Sequence, residues 1–72
     1  MIDRERQIES LKTAERHIAQ GRQHIADQER RVDKLRRDGQ DVTQASSLLR
    51  LFREVQVQHI AHRDLLLGEL ER

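Results

Sequence analysis

Apolar residues recur along the first half of this chain with a helical period. Leu11, Ile18, Ile25 and Val32 stand seven residues apart. A second row, Ala14, Gly21, Gln28 and Leu35, follows at an offset of three. Together they form the a and d seam of a heptad pattern, and Ile8 widens it. The intervening positions are mostly Arg, Glu, Gln, Lys and Asp, which suit a solvated helix face. The pattern predicts a helix over about residues 3–38, a turn at 38–41 and a second helix over about 42–71.

The turn is read from Arg37-Asp38-Gly39-Gln40-Asp41. Gly39 can take the left-handed conformation that closes a helix, and Arg36 and Arg37 favour the negative end of its dipole. Asp41 reads as the N-cap of the second helix, with Gln44 as its capping-box partner. A connection this short folds the second helix back on the first. The second seam is read as Ala45, Leu48, Phe52, Val55, His59, His62 and Leu66. Folding at residues 39–40 then sets Ile25 against Val55, Gly21 against His59, Ile18 against His62 and Ala14 against Leu66. Val32 falls against Leu48 or Leu49, and Gln28 near Phe52.

The fold class expected is all-α: an antiparallel two-helix hairpin that dimerises into a four-helix bundle. The whole chain, 1–72, is one domain. Dimerisation follows from an imbalance. Counting Ala, Val, Ile, Leu and Phe, residues 2–37 hold ten apolar side chains and residues 42–70 hold fourteen. A hairpin buries one stripe per helix, so the surplus needs another partner. Leu49, Val57, Ile60, Leu67 and Leu70 are the expected interface, and a homodimer is the expected assembly. The plainer reading is that some of these side chains are simply exposed, as on most protein surfaces. Docking on a different protein is the other alternative.

Composition narrows the function classes. Of the 72 residues, 38% are charged and none is Cys, Pro, Trp or Tyr. A disulfide staple is therefore excluded. A formal net charge of +1 gives no bulk preference for a polyanion. The start, Met1-Ile2-Asp3-Arg4-Glu5-Arg6, is not followed by the apolar stretch of a signal peptide. The longest apolar run, Leu65-Leu66-Leu67, is far short of a membrane span. The expected location is cytoplasmic.

Histidine supplies the candidate chemistry. His59 and His62 stand three residues apart on the expected seam, and imidazoles so placed can share a metal ion. His17 and His24, seven apart, flank the region expected opposite. The four are metal candidates and no more, because no Glu-x-x-His element supports them. The plainer reading is half-buried histidines hydrogen-bonded to neighbours. If buried and neutral, the same pair would make the bundle pH-responsive.

The basic run Arg30, Arg31, Lys34, Arg36 and Arg37 is interrupted by acids and lacks aromatic residues for base stacking. It reads as a solvated face, with a weak nucleic-acid accessory role as the alternative. Ser46-Ser47 has no nearby triad partner and reads as part of the cap region. No phosphate-binding loop or catalytic constellation is present, so no enzyme and no cofactor is expected. The function expected is a non-enzymatic self-associating adaptor. A metal- or pH-responsive bundle using His59 and His62 is the main alternative.

The turn segment Gly39-Gln40-Asp41-Val42-Thr43-Gln44-Ala45, followed by Leu48-Leu49 and Phe52, resembles a pattern in short uncharacterised bacterial proteins. The resemblance extends to His17-Ile18-Ala19 and His24-Ile25-Ala26, and to His59 with Arg63-Asp64-Leu65-Leu66. Val42 stands where that pattern more often has Thr. The resemblance implies a helical hairpin and no established activity.

Overall fold

A computed structural model describes residues 3–72. Met1 and Ile2, the latter counted among the apolar residues of the first helix, lie outside the described residues. Two helices, α1 (Arg4–Arg37) and α2 (Thr43–Leu70), pack against each other as an antiparallel hairpin. The molecule is a rod of 57 × 14 × 14 Å.

Capping explains where each helix begins and ends. The Asp3 carboxylate accepts the Glu5 N–H at 3.0 Å, satisfying one of the free donors at the start of α1. At the other end the Gln40 N–H reaches the Leu35 carbonyl at 2.9 Å and the Gly39 N–H reaches that of Arg36 at 3.1 Å. This pair is the Schellman closure, and it requires the left-handed φ of +69° that Gly39 adopts. α2 starts one residue later than the sequence suggests. Val42, not Asp41, holds the N-cap position and has no capping side chain. The Asp41 carboxylate sits one step upstream and accepts both the Thr43 N–H at 2.9 Å and the Thr43 hydroxyl at 2.7 Å. That offset puts Gln44 at the second helical position, one short of the third position from which a capping box closes.

The seam of α1 is as the heptads indicate, with Ala14, Ile18, Gln28 and Val32 buried. The seam of α2 is not. Its buried residues are Ala45, Leu49 and Gln56, with Phe52 and His59 half-buried between and beyond them. Leu48 and Val55, expected in the core, are exposed, and so is His62. The register is shifted by about one helical turn toward the loop. Gly21 faces Gln56 rather than His59, and His24 meets Phe52 rather than Gln28 doing so. The cause lies in the turn. The tight closure at Gly39 lets Val42 and Leu35, from either side of the turn, pack with Ile25 against the cluster of Val32, Ala45 and Leu49.

Two glutamines hold this register from the middle. Gln28 Nε2 of α1 donates to the Ala45 carbonyl of α2 at 2.9 Å. Gln56 Nε2 of α2 donates to the Ile18 carbonyl of α1 at 2.8 Å. Each helix thus sends one amide into the backbone of the other. A helical carbonyl can accept this second bond because it has two lone pairs. Gln56 fits because Gly21 has no side chain. A Cβ built there would collide with Gln56 Oε1. That oxygen is buried with no hydrogen-bond partner among the described residues. An unmade bond of this kind costs about 1–3 kcal/mol, so the amide adds specificity more than net stability.

The hydrophobic core is thin. Ala14, Ile18, Val32, Ala45 and Leu49 are its buried apolar members, and no side chain among the described residues is completely enclosed. The ion pairs are exposed and contribute little. One of them, Arg53 to Glu29 at 3.7 Å, crosses between the helices.

Three outcomes follow from these contacts. In a double-mutant cycle by urea unfolding, Gly21→Ala should stabilise a Gln56→Ala background by about 1 kcal/mol, the helix-propensity gain. In wild type the new methyl expels the amide and that gain is lost, giving a coupling of about 1 kcal/mol or more. Gly39→Ala should cost about 1 kcal/mol, because a Cβ disfavours the left-handed backbone although space around it is open. Asp41, held by the Thr43 hydroxyl and then the Thr43 N–H, has a carboxyl pKa lowered from the ordinary 3.8. Its stabilisation is complete above that value and is lost as the pH falls through the lower folded one. A carboxyl-carbon NMR titration should show Asp41 titrating below 3.8, with Thr43→Val moving it partly back.

Candidate functional site

The shifted register gives the rod two unlike flanks. On one, Glu29, Arg36, Arg50 and Arg53 border a polar cleft near the turn. On the other, α1 presents His17 and His24, seven residues apart, each one position before a seam isoleucine. α2 presents Leu51 and Val55 beside the half-buried Phe52 and His59. These side chains wall a shallow, largely apolar groove of about 390 Å³, floored by Gly21 and Gln56.

Two ring contacts cross the groove. The His17 and His59 imidazoles have centroids 5.3 Å apart with planes tilted by 48°. The His24 ring lies 5.8 Å from that of Phe52, tilted by 37°. The sequence sets His17 and His24 opposite the region of His59 and His62, and the register decides that His17 meets His59 while His24 meets Phe52. His62 does not join His59 on the seam as the sequence suggested. The seam continues from His59 to the half-buried Arg63, which leaves His62 exposed in an adjoining cleft with His17 and Glu9. Among the described residues, no three His, Asp or Glu side chains converge as ligands for a metal ion.

The remaining apolar surface is distributed differently from the expected interface. Leu49 is packed in the hairpin core, so it is not available to a partner. Ile60, Leu67 and Leu70 are half-buried, and Val57 stands out at 66% exposure. The more continuous stripe is on the groove side, where Leu48, Leu51, Val55 and Leu65 are 41, 51, 40 and 59% exposed. Their spacings of three, four and ten residues continue through Gln58 and His62 as a second heptad seam. The sequence carries the signal for it, but its heptads read Leu48 and Val55 into the α2 seam that faces α1.

Three of the five members of the basic run near the turn pair with acids on their own helix. Arg30 pairs with Asp27, Lys34 with Asp38 and Arg36 with Asp33 along α1. No helix among the described residues is long and apolar enough to cross a membrane. Compared with protein-family models, curated proteins and solved structures, the chain matches none. The class it falls in is therefore defined by its own geometry, as an antiparallel helical hairpin with one polar and one apolar flank.

Proposed function

We propose that this chain is a non-enzymatic assembly module, a helical hairpin whose first partner is a second copy of itself. The stripe of Leu48, Leu51, Val55 and Leu65 on α2 carries this reading. It has the three-four spacing of a coiled-coil seam and no partner helix within the chain.

Area and symmetry support a second copy as the occupant. The chain exposes 5860 Å² of surface. A compact monomer of 8.6 kDa would expose about 4,700 Å². The difference, about 1,200 Å², exceeds the roughly 800 Å² that each partner contributes to a standard interface. The stripe can also meet itself about a two-fold axis. An antiparallel two-fold between Val55 and Gln58 sets Leu48 against Leu65, Leu51 against His62 and Val55 against Gln58 of the other copy. Residue i then meets j, and j meets i, as an isologous dimer requires. Such a pairing makes a four-helix bundle with α2 at its centre.

Sedimentation equilibrium over a wide concentration range tests the reading. Wild type should be a dimer, and Leu51→Asp/Val55→Asp should be a folded monomer by circular dichroism. Val57→Asp, on a different flank, should leave the dimer intact. A wild-type chain that stays monomeric while folded at high concentration would overturn the proposal.

A further inference from the structure

The geometry points to a metal site between the helices, with the imidazoles of His17 and His59 as protein ligands and a divalent zinc-class ion as occupant. Neutral imidazole nitrogen is a ligand for zinc, copper and nickel. A zinc–nitrogen bond is about 2.0–2.1 Å and the preferred angles are tetrahedral. With a ring centre about 1.1 Å behind its nitrogen, two imidazoles on one such ion have centroids roughly 5 Å apart. His17 and His59 are already at 5.3 Å, tilted by 48° and so not stacked face to face.

Their setting suits a cation. Each ligand is carried by a separate long helix, so the ion would bridge α1 to α2 where the two glutamine amides already fix the register. No Lys or Arg lines the groove to repel a positive charge. His59 is half-buried and His17 is exposed, which leaves the outer coordination positions to water. Among the described residues no third His, Asp or Glu converges, so the two imidazoles are the protein's whole contribution and water would complete the shell, one protein ligand fewer than an open zinc site has. The pairing differs from the one the sequence suggested, because His62 lies off the seam. It needs no second chain and stands independently of the proposed dimer.

His24 provides an internal control. It lies seven residues from His17, about 10 Å along the helix, and its ring is against Phe52. The experiment titrates the full chain, stripped with chelator, with zinc sulfate alone. Calorimetry, thermal melts and the imidazole NMR resonances are the readouts. The expected result is one zinc per chain, a higher Tm, and shifts confined to His17 and His59. His17→Gln and His59→Gln should each weaken binding by about tenfold or more, while His24→Gln should not. Because His17 is exposed, its variant tests the ligand without touching the core. Undiminished zinc binding in folded His17→Gln would overturn the assignment. So would a stoichiometry of half an ion per chain, which would place the ion between copies.

Discussion

Register is the constraint on which the rest of this rod depends, and two buried amides hold it. A hairpin of two amphipathic helices can slide by a turn and still place apolar side chains against one another. Here Gln28 and Gln56 each find a carbonyl on the opposite helix, and Gln56 does so only beside the bare backbone of Gly21. Each bond contributes about 1 kcal/mol, which is small beside a typical domain stability. Their effect is selective, since a slide by one turn would lose both together. The closure at Gly39 fixes the same register from the end of the hairpin. Turn and seam therefore agree, the local and global consistency that favours a single native arrangement.

The parts legible in the sequence were those with one strong signal each. Heptads over α1, a glycine at the bend and basic residues before it gave the two helices and the reversal between them. α2 was harder to read because its apolar residues occupy more than one flank. Leu48 and Val55 offered a more hydrophobic seam than Leu49 and Gln56, and hydrophobicity was the wrong criterion at those positions. A glutamine enters a core when a notch and an acceptor await it, and both lie on the other helix. The sequence sets His17 and His24 opposite the region of His59 and His62, but which imidazole meets which is a consequence of register and of nothing local.

Placing Gln56 inward turns Val55 outward, and this exchange shapes the surface. The hairpin buries few apolar side chains completely, while four large ones remain exposed in a row. A 14 Å-wide rod has no further layer with which to cover them. Burial of apolar surface is worth about 25 cal/mol per Å², so a stripe of this kind is a substantial unspent driving force for association. Its regular spacing makes a helix the best-fitting cover, and α2 of another copy has the matching pattern.

The apolar stripe and the imidazole pair share a border, since Leu51 and Val55 line the groove that His17 and His59 close. Occupants of the two are therefore thermodynamically linked wherever one alters the affinity of the other. An ion that bound the single hairpin and the paired one equally would leave association unchanged, however tightly it bound. An ion that drew His17 toward α2 would act differently, because it would rigidify the wall against which a second copy packs. Ordering done once by the ion need not be done again by the partner, so the two events would favour each other. The half-buried position of His59 sets one of the two rings back from the contact surface, so an ion held there would leave the stripe open to a second copy.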